Sequence, residues 1–206
     1  MWASRRLSIR YPLSASLYPS PAPCNPHPAP CNLYPVLLET PRLILREMTP
    51  HDTPALHAIL GDEETMRWYP HPFSSAEVDE WIARQIVRYP TGTGLLGLIL
   101  KSTGQFIGDC GCVWQTIDSP PELEIGYHVH RHHRNQGLAT EAARAVRDYA
   151  FSTLASDPEI DHVISMIRPE NLPSRRVAEK NGFILTRTVY WRGYDHSVYR
   201  YDRPAA

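Results

Sequence analysis

Long hydrophobic runs are missing from this sequence. Its most apolar stretch, Leu95 to Leu100, falls far short of the roughly 20 residues that cross a bilayer, so no membrane partner is expected and the stretch reads as a buried strand. An excess of charge of either sign is missing too. The formal net charge is −1, whereas proteins that hold nucleic acid carry a basic excess or a basic face, so a nucleic-acid partner is not expected. Cysteine is scarce: Cys24, Cys31, Cys110 and Cys112 include no CxxC pair, and no secretory h-region precedes them. Neither a zinc site nor a disulfide framework is indicated, and a reducing, cytoplasmic setting is the expectation. Acidic residues are absent from residues 1–36, a segment that holds three arginines, eight of the chain's 20 prolines and the pentapeptide PAPCN twice. Proline at this density removes backbone donors and favours extended conformations, so the segment is read as a disordered tail. An import signal would need an amphipathic helix, which Pro12 and Pro19 break.

What remains, residues 37–206, is enough for one domain, in a chain of 42% hydrophobic residues. Leu37 to Met48 alternates as a strand. Thr49, Pro50 and Asp52 mark the cap of a first helix that carries Leu56, Ile59 and Leu60 and stops at Gly61. Ser74 and Glu77 form a capping box for a second helix with Val78, Trp81, Ile82 and Ile86 on one stripe. Strands follow over Leu95 to Lys101 and Gln105 to Gln115, then over His162 to Arg168. A helix runs from Pro173 to Lys180, and a hairpin of Phe183 to Trp191 and His196 to Tyr201 turns at Gly193-Tyr194-Asp195.

Between these lies the most informative stretch, Glu122 to Thr140, ELEIGYHVHRHHRNQGLAT. Ile125, Tyr127 and Val129 mark a strand. Arg134-Asn135-Gln136-Gly137-Leu138-Ala139 is a loop, and Thr140 opens a segment with Ala142, Ala143, Val146, Ala150 and Leu154 at helical spacing. A strand that passes through such a loop into a helix points unpaired first-turn N–H groups outward, with the positive end of the helix dipole behind them. That arrangement suits a pyrophosphate, although an ordinary β-to-α turn has the same spacing.

The sequence Arg134-x-x-Gly137-x-Ala139 resembles the acetyl-CoA signature of the GNAT superfamily of N-acetyltransferases. Asn171 to Phe183, NLPSRRVAEKNGF, is similar to a second block of that family. The opening LETPRLILRE, Glu124-Ile125-Gly126-Tyr127 and Ala139-Thr140-Glu141-Ala142 resemble the RimJ and RimL type branch, and the resemblance covers Leu37 to Asp202. It implies an α/β fold with a mixed, mostly antiparallel sheet, a parallel central pair splayed apart beyond a bulge, and about four helices. It further implies transfer of acetyl from acetyl-CoA to a primary amine, either a protein N-terminus or a small molecule. The oligomeric state is not legible.

For the site, the resemblance implies that Tyr127, His128 and Val129 line the pantetheine, with the Val129 N–H as donor to the thioester oxygen. Arg134, Asn135, Gln136, Gly137, Leu138, Ala139 and Thr140 would hold the diphosphate. Asn171 would hold the pantetheine and Ser174 would sit near the sulfur. Many relatives carry a Tyr that protonates the leaving thiolate where this chain has Ala178, which makes Ser174, directly or through water, the substitute acid. That missing Tyr also permits a second reading, a non-catalytic acyl-CoA-binding regulator. Glu124, flanked by Leu123 and Ile125, is either a solvated strand residue or the general base, with Glu122 and Glu141 as neighbours that could compete. His128, His130, His132 and His133 invite a metal reading, but no carboxylate or Cys is spaced to complete a set, and no metal is expected. Cys110 and Cys112 read as core, because direct attack needs no covalent enzyme intermediate.

Overall fold

The computed structural model describes residues 36–117, 120–154 and 160–204. The tail expected over residues 1–36 lies outside the described residues except for Val36, which opens the first strand. The single strand expected from Leu37 to Met48 is two, β1 (Val36–Glu39) and β2 (Leu43–Arg46), paired antiparallel. Thr40 makes the turn between them: its N–H donates to the Leu43 carbonyl and its hydroxyl accepts from the Leu43 N–H, both at 2.9 Å.

A 3-10 turn at Pro50–Asp52 precedes α1 (Thr53–Leu60), which therefore starts later than the cap motif suggests. The Asp52 carboxylate accepts from the Thr49 N–H at 2.8 Å and from the Arg46 guanidinium at 2.7 and 2.9 Å, pinning the helix start to β2. A short helix not expected from the sequence, α2 (Glu63–Met66), is capped by Asp62, which accepts from the Thr65 N–H. In α3 (Ser75–Arg88) Ser74 and Glu77 cap reciprocally, but the buried stripe is Val78, Ile82 and Gln85, while Ile86 is 38% exposed. Positions i, i+4 and i+7 share one helix face and Ile86 falls beside it. Gln85 offsets its own burial by accepting from the Leu95 N–H and donating to the Trp81 carbonyl.

The chain continues through β3 (Gly94–Leu100), β4 (Gln105–Gln115), β5 (Glu122–Val129), α4 (Leu138–Ser152), β6 (His162–Ile167), α5 (Leu172–Lys180), β7 (Ile184–Trp191) and β8 (Tyr194–Asp202). The final hairpin turns at Arg192-Gly193, both at positive φ (50° and 89°), rather than at Gly193-Tyr194-Asp195. Two consecutive left-handed residues match the twist of a tight hairpin. Among the described residues there are five α-helices and one eight-stranded sheet of order β1-β2-β3-β4-β5-β6-β8-β7.

Two apolar layers sandwich the sheet. On one face Leu43, Leu98, Cys110, Leu123 and Ile125 pack against Ala142, Val146 and Ala150 of α4. On the other Met48 and Leu95 pack against Leu56, Ile59 and Leu60 of α1 and Val78 and Ile82 of α3. Among the described residues only β5 and β6 run parallel, with α4 crossing between them, as a parallel connection requires. Their register holds at one position, Glu124 opposite Ile164. Beyond it the strands part because β6 stays with β8 along its whole length, from His162↔Asp202 to Ile167↔Ser197. The bulge implied by the family resemblance is not in β5, which pairs with β4 without a register shift from Glu122 to Val129.

Candidate active site

The gap between β5 and β6 is lined by main chain. Hydrogen-bond direction alternates along a strand. The His130 N–H donates to the Ile107 carbonyl of β4, and the Ile125 carbonyl accepts from Ser165 Oγ of β6 at 2.9 Å. The N–H and C=O groups of Ile125, Tyr127 and Val129 are therefore turned away from β4, towards the gap. Two of the carbonyls are already taken: that of Ile125 by Ser165, and that of Val129, which accepts from Arg134 Nε at 3.2 Å.

Beyond the gap the chain makes a 3-10 turn at Arg131–His133, passes Asn135 at φ 60°, and enters α4 through Gly137 at φ 76°. No side chain caps this helix, so its first N–H groups face outward. A Cβ at Gly137 would meet only the Arg42 guanidinium, at 3.6 Å, so the left-handed backbone and not crowding calls for glycine. Arg42 pairs with Glu141 and donates to the Gln136 carbonyl at 2.8 Å, bracing this turn. Exposed N–H groups and a helix dipole fit the diphosphate of an acyl carrier. Leu138 is buried in the core, Ala139 is half-buried, and the Thr140 carbonyl accepts from Asn181 Nδ2.

On the far side of the gap Asn171 caps α5, its Oδ1 accepting from the Ser174 N–H at 3.3 Å. The Ser174 carbonyl accepts from the Tyr127 hydroxyl at 3.0 Å, and the Ser174 side chain also meets that phenol. Burial raises the Tyr127 pKa, so this phenol stays protonated. Ala178 lies in the core at 3% exposure, where a tyrosine would require repacking.

Glu124 stands where the strands part, on the opposite sheet face from Tyr127. Its carboxylate accepts from Gln115 Nε2 at 2.7 Å. Burial raises its pKa above the ordinary glutamate range, against the lowering effects of Gln115, the Met166 N–H, His128 and Arg192. The two competing carboxylates behave differently. At Glu122 burial is outweighed by hydrogen bonds from Arg187 and His162, and at Glu141 by those from Thr40 and Arg42; both pKa values are lowered. Glu122 and Glu141 are thus paired ions, while Glu124 is an under-compensated one.

His130, His132 and His133 gather in one group, with ring centroids 5.1 and 6.0 Å from His130, and His128 stands apart from them. His128 Nδ1 lies 2.7 Å from Asp109 and its Nε2 2.7 Å from the Tyr69 hydroxyl, and its main-chain groups face β4, so neither its side chain nor its backbone lines the gap as the resemblance implied. His130 Nδ1 accepts from the His132 N–H, and His133 pairs with Gln105. Among the described residues no three His, Cys, Asp or Glu side chains gather as a metal site. The Arg134 guanidinium reaches Glu64 and Thr65, tying the loop to α2 rather than presenting itself to a phosphate. Cys110 and Cys112 are buried, with the Cys112 thiol pushed up to about 12 by burial, which makes both poor nucleophiles. Sequence reasoning missed Arg42, Tyr69, Asp109 and Gln115. A signal existed only for Asp109, an acidic residue in the otherwise uncharged strand QFIGDCGCVWQ.

Residues 42–184 match the Acetyltransferase (GNAT) domain family. YkkB, an uncharacterised protein of Bacillus subtilis, is 34% identical over 169 residues that cover 81% of this chain and 94% of YkkB. YoaA of the same organism, described as an uncharacterised N-acetyltransferase, is 29% identical over 177 residues, covering 82% and 97%. A crystal structure of an acetyltransferase from Agrobacterium tumefaciens superposes with a TM-score of 0.68 at 29% identity, covering 84% of this chain and 98% of that one. With the family matched across most of the sequence and these relatives matched along nearly their whole length, the chain belongs to the GNAT family of acetyltransferases and is an acetyl-CoA-dependent acyltransferase.

Proposed function

We propose that the acceptor is a primary amine, a protein N-terminus or a small-molecule amine, and that it attacks acetyl-CoA directly in the gap between β5 and β6. The observation that carries this reading is the raised pKa of Glu124 at the point where the strands part. An amine is largely protonated at neutral pH, with reference values of about 7.7 to 8.0 for an α-amino group and about 10.4 for lysine, so a proton acceptor is needed. A carboxylate whose pKa is moved towards neutrality serves better than a strongly paired one. Glu124 is the general base, acting directly or through water. The freed nitrogen lone pair attacks the thioester carbon, and the carbon–sulfur bond breaks with its electron pair leaving on the CoA sulfur.

The chain's own groups divide the remaining work. The Tyr127 and Val129 main chain holds the pantetheine amides as an added strand would, and the Val129 N–H meets the negative charge that develops on the thioester oxygen. Asn135 to Thr140 bind the diphosphate, with Arg134 fixing that loop. Asn171 sets the start of α5, and Ser174, directly or through water, returns a proton to the thiolate. No described helix is long and apolar enough to cross a membrane, and we place the reaction in the reducing, cytoplasmic setting that suits two free buried cysteines. The test is a panel of peptides with free N-termini, polyamines, amino acids and aminoglycosides, scored by CoA release and by acetylated product. Tight acetyl-CoA binding with no turnover across the panel would favour the non-catalytic regulator, to which the absence of a tyrosine at Ala178 lends support.

A further inference from the structure

Three side chains from separate elements form a line on the Glu124 face of the sheet. Asp109 of β4 and His128 of β5 are cross-strand partners. Asp109 is completely buried and His128 leaves 9% of its side chain exposed. One Asp109 oxygen lies 2.7 Å from His128 Nδ1, and the other accepts from Trp81 Nε1 at 3.1 Å. A buried carboxylate with a single charged oxygen pair to satisfy needs donors, and Trp81 and the imidazole supply them. His128 Nδ1 therefore carries hydrogen, which leaves Nε2 with its lone pair facing the Tyr69 hydroxyl at 2.7 Å. The phenol donates to that nitrogen, and its oxygen lone pairs remain for something else.

Tyr69 is where this line reaches the surface. The residue is 38% exposed while its hydroxyl end turns inward, and burial, then Glu124, then Asp109 raise its pKa. Tyr69 thus stays protonated and shares its surroundings with Glu124. Edge-on packing against Phe73, and of Trp81 against His128, holds the ring positions. Other charged groups facing this set are Glu124 on β5 and Arg84 on α3, whose guanidinium lies over Trp81.

The proton count of the reaction calls for a second acceptor. A protonated primary amine carries three hydrogens and the amide product one, so two protons leave the nitrogen; one ends on the CoA sulfur and the other in solvent. We propose that Tyr69 is the acceptor of the first of them, taking a proton from the substrate ammonium at its oxygen while passing its own phenolic proton to His128 Nε2, with Asp109 holding the imidazolium that results. One N–H bond breaks at the substrate and one forms at His128, Tyr69 is neutral before and after, and the electron pair stays on the substrate nitrogen for attack. The imidazolium later releases its proton to solvent by the reverse path. Tyr69 is the catalytic residue of this line, and His128 and Asp109 are positioning residues. The proposal rests on the acetyl transfer to amines argued above and divides the proton transfers given there to Glu124 alone: Tyr69 takes the proton lost before attack, and Glu124 takes the one lost from nitrogen as the amide forms.

The test uses the full chain, acetyl-CoA and two nucleophiles small enough for any acceptor site: methylamine, which arrives protonated at neutral pH, and hydroxylamine, a weak base that arrives neutral. Tyr69→Phe keeps the ring and its packing. It is expected to lower kcat/KM for methylamine at pH 7 by at least about tenfold, within the lower reach of acid–base catalysis. The loss should shrink as pH rises towards the pKa of the amine, and hydroxylamine turnover should stay within about threefold. Glu124→Gln should slow both. Equal losses of Tyr69→Phe with both nucleophiles, or none, would overturn the proposal while leaving acetyl transfer intact. Failure of the unaltered chain to acetylate either nucleophile overturns both readings. Nitrogen NMR of His128 gives a check independent of turnover: an Nε2 that carries hydrogen while Nδ1 does not reverses the line and refutes it.

Discussion

Glu124 stands opposite Ile164 at the single registered position of the parallel pair, and its carboxylate reaches across to accept from the N–H of Met166, two residues further along β6. The residue that marks where the sheet opens is thus also one whose ionisation the fold opposes.

Glu124→Gln keeps the shape of the side chain and removes its basicity. Acetyl-CoA affinity should survive, and kcat should fall by about a hundredfold or more, with residual activity rising towards the pKa of the amine. Steady-state rates across a pH series with the best acceptor from the panel check this. Activity within about threefold of the unaltered enzyme throughout would move the role elsewhere.

The same substitution should raise stability at neutral pH. A carboxyl group whose pKa is higher in the folded state than in the unfolded chain favours folding when protonated, and that contribution is lost as pH rises through the folded value. Ionised Glu124 therefore costs stability at pH 7, and Glu124→Gln should melt higher there. Below about pH 4.3, the ordinary glutamate value, the two proteins should melt together. Melting curves at pH 7 and pH 4 decide it, and a lower Tm for the variant at pH 7 contradicts the raised pKa.

Gly137→Val should abolish or strongly weaken acetyl-CoA binding, because the left-handed backbone at φ 76° strains a β-branched residue and the N–H groups behind it lose their aim. Since little surrounds the added atoms, the protein should still fold. The measure is the thermal shift on adding acetyl-CoA, and an unchanged shift refutes the diphosphate assignment.

Gly126 lies between Glu124 and His128 on the same sheet face, and a Cβ there meets only a Leu95 methyl at 3.8 Å. Gly126→Leu should fold, fill the acceptor side and raise KM for the amine several-fold while leaving acetyl-CoA affinity nearly unchanged. Equal loss of both would place the amine elsewhere.

Asn171 and Ser174 are separable. Asn171→Ala removes the cap of α5, at a typical cost of about 1 kcal/mol, and should weaken acetyl-CoA binding. Ser174→Ala keeps the cap, which uses the Ser174 N–H, and should lower kcat by no more than about tenfold, because a thiolate of ordinary pKa near 8.5 is a tolerable leaving group. Titration calorimetry with CoA and steady-state rates distinguish them.

Local chemistry made much of this protein legible in its sequence. The strand, loop and helix from Glu122 to Thr140, the Ser74–Glu77 cap and the Asn171 cap depend on residues close together in the chain, so spacing alone reveals them. Two family-like blocks added the cofactor, and the apolar setting of Glu124 singled it out. Other features depend on residues far apart. β6 leaves β5 because it stays with β8, and no feature of β5 itself announces this. The ring of His128 carried no sign of its partners, because Asp109 lies 19 residues away and Tyr69 59. Arg134, which the family resemblance assigned to the cofactor loop, turns to α2 because Glu64 and Thr65 await it there. Periodicity and capping determined which segments form and which loop can hold an anion; tertiary packing alone decided which carboxylate is left under-compensated and which side chains complete a path for protons, since both depend on burial and on partners that the linear order does not bring together.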